Sequence, residues 1–179
     1  MFQVEELPLA GACLLTLPCF EDVRGSFVKT FQGSVLEKAG IDFDLKESYF
    51  SLSARDAIRG MHFQTPPHDH AKIVFCPLGA ILDVIVDLRK GSGTYGQAYH
   101  TILSAENHKA FYIPKGFAHG FKSMADGAMT YYLVSSEHSK EHDCGILYSS
   151  IGVDWYCPAP IVSVRDQSFV ALKDFESPF

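Results

Sequence analysis

Residues 71–96, AKIVFCPLGAILDVIVDLRKGSGTYG, set two apolar runs against two corners, Pro-Leu-Gly and Gly-Ser-Gly. Runs this short, rich in β-branched residues and bounded by glycine, read as strands. Residues 109–136, KAFYIPKGFAHGFKSMADGAMTYYLVSS, repeat the pattern, with Asp126-Gly127 as a hairpin turn between two strands. Many short strands at such spacing predict an all-β chain, a sandwich or barrel of jelly-roll type. Helical periodicity is scarce. GSVLEKAG (33–40) predicts one short helix, with Ser34 as N-cap, Glu37 three residues on and Gly40 as the stop.

The strand ILDVIVDL (81–88) carries more information. Leu82, Val84, Val86 and Leu88 share one face, and Ile81, Asp83, Ile85 and Asp87 share the other. The first face is read as core. An acid between two isoleucines is costly to bury without a partner. Two readings of Asp83 stay open: it is wet, or it lines a barrel cavity and orients a histidine.

At 179 residues the chain is long enough for a sizeable core, and residues 1–179 read as a single domain. The net charge of −6 gives no field that favours nucleic acid or an anionic membrane. An anionic ligand must therefore be met locally, by a few placed arginines and lysines. The five cysteines (13, 19, 76, 144, 157) form no C-x-x-C pair and read as reduced core residues of a cytoplasmic protein. The start, MFQVEELPLAG, has neither a basic region nor an apolar run, and no segment reaches 18 apolar residues. Neither export nor membrane spanning is expected.

The chemistry concentrates in RGMHFQTPPHDHAKIVF (59–75), with His62, His68, His70 and Lys72. A His-x-His pair with a third histidine is an acceptable metal set. Pro114-x-Gly116-x-x-His119 resembles the second motif of the cupin superfamily, small β-barrels whose cavity holds a metal or a substrate. His68-Asp69-His70 starts the first cupin motif, but no Glu follows in AKIVFCPL. TPPHDH reads as a turn, so His68 and His70 are expected in a solvated loop. An ammonium at Lys72 would repel a divalent ion, whereas beside an enolate it stabilises the developing charge. The balance favours proton transfer.

The ordered motifs DVRGSF (22–27), AIRGMHFQ (57–64), AKIV (71–74), LDVIVDLRKGSGTYG (82–96), LSAENH (103–108), IPKGFAHGF (113–121), YYL (131–133) and VSVRD (162–166) resemble the dTDP-4-dehydrorhamnose 3,5-epimerases. These are metal-free cupins that epimerise nucleotide-linked 4-keto-6-deoxy sugars. The resemblance implies a cupin-type jelly-roll barrel, an isomerase of deoxysugar and surface-polysaccharide biosynthesis, no cofactor, and a homodimer with strands shared across subunits. It implies His62 as base with Asp166 as its partner, Lys72 at the C4 oxygen, and Tyr132 as acid on the opposite face. His119, with Asp83 behind it, would bind the sugar; Arg24 and Arg59 would clamp the diphosphate. Phe27, Lys29, Glu47, Tyr49, His138, Asp143 and Arg165 fall at or beside the remaining substrate-binding positions.

The chain departs from the family pattern at several of these. Lys29 stands where the family has an acid, and Glu47-Ser48-Tyr49 where it has Gln-x-Asn. Glu137-His138 replaces a Tyr-Tyr pair, Asp143 alone matches a later acid, and YSSIG (148–152) replaces W-x-D-P. Such changes around the nucleoside and sugar predict a different base or sugar, or inversion at one carbon only. Cytidine diphosphate is the leading expectation, because Glu47 could accept from the cytosine amino group.

Overall fold

The computed structural model describes residues 2–179, and they form two sheets packed face to face. In chain order the strands are β1 (Gln3–Glu6), β2 (Cys13–Thr16), β3 (Cys19–Asp22) and β4 (Gly25–Val28), then helix α1 (Gly33–Lys38). Next come β5 (Glu47–Ser53), β6 (Ala57–Gln64), β7 (Lys72–Leu78), β8 (Ala80–Asp87) and β9 (Ala98–Ser104). They are followed by β10 (Lys109–Ile113), β11 (Phe117–Ser123), β12 (Ala128–Val134), β13 (Asp143–Gly145), β14 (Ile161–Val162) and α2 (Val164–Gln167).

One sheet runs β1-β2-β10-β7-β12-β5; the other runs β13-β6-β11-β8-β9, with β14 added in parallel to β6. Consecutive strands alternate between sheets over much of this order, which is the jelly-roll arrangement the motif spacing predicts. The hairpin β3–β4 stands apart as its own two-stranded sheet.

Three apolar clusters explain why the chain folds this way. Between the sheets pack Val74, Ile81, Ile85, Phe111 and Phe121, all essentially inaccessible. Outside the first sheet, Leu36 and Ile41 cover Leu15, Ile73 and Tyr112. Outside the second sheet, Ile146, Ile151 and Trp155 cover Leu82, Val84, Val86 and Leu88. Strand β8 is therefore buried on both faces. The face assigned to core is core, but an outer one; Asp83 points to the inner one and is 0% exposed. The solvent-exposed reading of Asp83 is wrong, and Asp87 is equally buried. Asp87 is satisfied by Arg89 Nε (2.8 Å), Arg89 Nη2 (2.7 Å) and Thr94 Oγ1 (2.7 Å).

Two local expectations need correction. Helix α1 starts from Gln32 in extended conformation with no side-chain cap, so Ser34 lies inside the first turn and does not cap it. The stop holds, with Gly40 at φ +75°. Pro77 and Leu78 belong to β7, and Gly79 alone, at φ +77°, turns the chain into β8.

The crossing of β6 and β11 positions the site. Gly60 has φ +139°, and a Cβ there would meet the Gly120 Cα at 2.5 Å. Only glycine fits such an approach. The ladder shifts register between His119 and Phe121, leaving His62 directly opposite His119.

Candidate active site

β6, β11, β12, the start of β7 and the segment after β14 enclose a cavity of about 730 Å³. That lies inside the range of roughly 300–1,000 Å³ usual for small-molecule sites. Its lining includes His62, Lys72, His119, Tyr132 and Asp166, so the four catalytic candidates share one space.

His62 is held from outside the barrel. Its Nε2 lies 2.9 Å from Asp166 Oδ1, while Asp166 Oδ2 accepts the Gly60 backbone N–H at 3.0 Å. Asp166 sits in the first turn of α2, where its own N–H donates to the Ser163 hydroxyl at 3.0 Å. Burial alone would raise this carboxyl, but the hydrogen bonds and charge of His62, then the Gly60 and Ser163 bonds, bring it below its ordinary value. An ionised carboxylate only accepts, so His62 Nε2 carries the hydrogen that lies between them. Phe169 buttresses the ring edge-on, with centroids 5.9 Å apart.

Lys72 is 5% exposed, and its Nζ donates to the His62 carbonyl at 3.3 Å. Desolvation lowers the ammonium to about 8, against the opposing pull of Asp143 and Asp83. Tyr132 is 8% exposed, stacks on Tyr49 with centroids 4.8 Å apart, and meets the His119 ring edge-on. Burial first, then Tyr49 and Asp83, push its phenol well above the ordinary value, so it stays protonated. Burial first, then the charges of Glu47 and Asp143, push Tyr49 up to about 12.

His119 Nε2 faces both Asp83 oxygens, at 2.9 and 3.1 Å. Burial lowers the histidine and raises the acid, each opposed by the charge of its partner. Arg59, exposed on β6, donates from Nε to Ser53 Oγ at 3.0 Å and from Nη2 to the Leu52 carbonyl. Arg165 Nη2 pairs with Asp143 Oδ2 at 2.8 Å. Glu47 Oε2 accepts the His138 backbone N–H at 2.8 Å, tying β5 to the 135–142 loop.

Four expected site residues are not in the lining of this cavity: Asp83 stands behind His119, and three others lie farther off. Arg24, Phe27 and Lys29 lie on or just beyond the outlying β3–β4 hairpin; Arg24 is 86% exposed and pairs with its own neighbour Asp22 at 2.6 Å. His70 is a second correction. It is not a solvated loop residue but part of the cavity wall, bonded through Nδ1 to Gln64. His68 turns away from it and packs its ring on His142, 4.4 Å between centroids.

The sequence reading also missed Gln64, whose amide joins the His68 carbonyl (2.8 Å) to the Ser139 N–H (2.6 Å) and so fixes the loop. Its signal was its place at the end of AIRGMHFQ. Ser163 and Phe169, beside Asp166, were missed as well.

A histidine paired with a carboxylate, a desolvated ammonium and a protonated phenol around one cavity are the groups that carbon-bound proton transfer needs. The family model for dTDP-4-dehydrorhamnose 3,5-epimerase matches residues 6–174, and the chain belongs to that family of isomerases. Among its relatives, the dTDP-4-dehydrorhamnose 3,5-epimerase of Shigella flexneri is 39% identical over 162 residues, 87% of this chain and 90% of that one. The crystal structure of the Bacillus anthracis enzyme with TDP and PPi bound superposes with a TM-score of 0.92 at 37% identity, covering 96% and 99% of the two chains. A Legionella pneumophila 3,5-epimerase in complex with dTDP-4-keto-L-rhamnose gives 0.94 at 30% identity, covering 98% and 95%.

Proposed function

We propose that this chain inverts the carbons flanking the C4 ketone of a thymidine-diphosphate-linked 4-keto-6-deoxy sugar, within deoxysugar biosynthesis. The observation that carries the reading is the His62–Asp166 pair, 2.9 Å apart, aimed into the cavity that also holds Lys72 and Tyr132. His62 Nδ1 takes the proton from the carbon beside the ketone, and the C–H electron pair moves into an enolate. Asp166 holds the imidazolium that results. Lys72 meets the negative charge on the C4 oxygen. Tyr132 gives its hydroxyl proton to the same carbon from the other face, which inverts it. Arg59 and Arg165 meet the diphosphate, while Tyr49 and His138 flank the nucleoside. His119, kept neutral and fixed by Asp83, binds a sugar oxygen.

The nucleotide is read as thymidine, since the ligands named in the related structures are TDP and a dTDP-sugar. The case for cytidine rested on Glu47 as a free acceptor, and one of its oxygens already holds the His138 N–H. The active form is read as a homodimer. The exposed hairpin carrying Arg24, Phe27 and Lys29 would reach the partner's cavity, and the edge strand β5 leaves Phe50 and Leu52 more than half exposed. The whole of 1–179 serves as one domain, and its free cysteines fit a cytoplasmic setting.

The test is incubation with the dTDP-linked 4-keto-6-deoxy sugar in deuterium oxide. Deuterium at C3, C5 or both establishes which carbons react; no exchange overturns the reading. Titration of dTDP, CDP, GDP and UDP settles the base, with tenfold tighter binding, about 1.4 kcal/mol, expected for dTDP. Sedimentation of wild type against Arg24→Ala, with activity at matched concentrations, tests whether the hairpin completes a partner's site.

A further inference from the structure

The proposed chemistry leaves one polar ring on the cavity wall without a task. His70 lines the cavity, and its Nδ1 lies 3.1 Å from Gln64 Nε2 and 3.3 Å from Ser136 Oγ. Its Nε2 is sheltered from water and has no partner among the described residues.

The surrounding bonds decide which nitrogen carries the hydrogen. Gln64 Oε1 accepts the Ser139 N–H at 2.6 Å, so the other end of the amide is the NH₂ that faces the His68 carbonyl and His70. Ser136 Oγ donates to the same His68 carbonyl at 2.8 Å, so its hydrogen is already directed. The Gln64 NH₂ is the nearest polar group to Nδ1, with the Glu137 carbonyl and Ser136 Oγ also within its reach at 3.2 and 3.3 Å, and Nδ1 is assigned as the acceptor of that contact. Burial first, then the Lys72 ammonium, hold the ring down to about 3 and hence neutral. The hydrogen of the neutral ring sits on Nε2, a donor with nothing to give to. Buried donors left this way are uncommon and unfavourable. An acceptor arriving in the cavity removes the penalty.

The position narrows the acceptor. His70 lies two residues before Lys72, just ahead of β7, and both line the cavity. Lys72, His138, Lys115 and His119 all act against a positive charge on the ring, while the neighbouring acid Asp69 is paired with Lys115 at 3.7 Å. An oxygen of the occupant suits that wall. We propose that the His70 Nε2–H donates to a sugar oxygen of the bound nucleotide sugar and is a specificity-determining contact, with Gln64 as the positioning residue that fixes its tautomer. This rests on the epimerase reading.

The experiment compares wild type, His70→Leu and His70→Gln in binding dTDP alone and a dTDP-linked 6-deoxy sugar whose ketone is reduced to a hydroxyl. His70→Leu should bind dTDP as wild type does, yet bind the sugar nucleotide about 10- to 100-fold more weakly. His70→Gln, which can still donate, should recover most of that loss. Equal weakening towards both ligands, or none towards either, overturns the proposal. Nitrogen-15 spectra of the wild type provide a check that needs no variant. They should show Nε2 protonated, with its proton shifting downfield on adding the sugar nucleotide but not dTDP; an Nδ1–H tautomer, or the same shift with dTDP, overturns it. Deuterium incorporation by the wild type separates the two levels. Exchange with an indifferent His70→Leu removes only this contact, whereas a wild type that neither exchanges nor binds removes the epimerase reading and this contact with it.

Discussion

His62 and His119 are cross-strand partners on β6 and β11, and each is tied through Nε2 to a carboxylate, but the ties come from opposite sides. Asp166 reaches His62 from a segment outside the barrel, whereas Asp83 meets His119 from within. The His62 side chain is 31% exposed and that of His119 only 3%. One imidazole can reach a reacting carbon and shed a proton to solvent; the other is a fixed wall. The two should therefore fail differently.

In the proposed mechanism His62→Ala removes the base. Deuterium exchange should fall by about 10²–10⁴-fold or more, with dTDP binding little changed. Asp166→Asn should cost most of the same rate, because the amide NH₂ can turn to His62 and reverse the tautomer. His119→Ala should instead raise KM with a smaller effect on turnover. An active His62→Ala would reassign the base.

Tyr132→Phe tests the far face. Burial keeps the phenol protonated, as an acid must be. Without it, His62 can still remove a proton and return deuterium to its own side. The expected result is label uptake without inversion, read by mass and coupling constants. Unchanged inversion would assign the acid elsewhere.

Lys72 links activity to pH. Its folded value of about 8 lies below the 10.5 of a free lysine, so the folded state binds this proton less tightly than the unfolded chain does. Burying the ammonium thus opposes folding below pH 8, by about 3 kcal/mol. Stability from this group should rise between pH 8 and 10.5, while turnover falls over the same window as the charge on the C4 oxygen loses its partner. Lys72→Met should melt higher than wild type at pH 7 and be nearly inactive. A lower melting point would show that the ammonium is better satisfied than its burial implies.

Gly60→Ala tests the crossing. A Cβ would stand 2.5 Å from the Gly120 Cα, at a φ that L-residues avoid. Strain and overlap together should destabilise by about 2–5 kcal/mol. Thermal melting checks it, and a midpoint within a degree or two of wild type would refute it.

Period-two alternation and turn residues made the strands legible, and the ordered motifs marked His62, Lys72, Tyr132 and Asp166. What alternation could not say was which face of β8 turned inward. Both are buried because residues such as Ile151 and Trp155 cover the outer one, and that covering segment has no periodicity of its own. Pro66 and Pro67 suggested an open turn at His70, but the loop is drawn in by Gln64, a long-range tether that spacing does not reveal. Helix α2 has four residues, too few for a helical pattern, so Asp166 was legible only through its motif. Arg24 could be named by motif but not located, since a hairpin's register says nothing of where it docks.

His62 and Asp166 are 104 residues apart along the chain, and the second arrives only when β14 and α2 lie down beside β6. Without that contact the His62 ring would be free to spin and to carry its hydrogen on either nitrogen. Chemical competence thus hangs on the short stretch from Ile161 to Phe169 as well as on the barrel. In this molecule the docking of a few surface residues decides whether a finished barrel is also an enzyme.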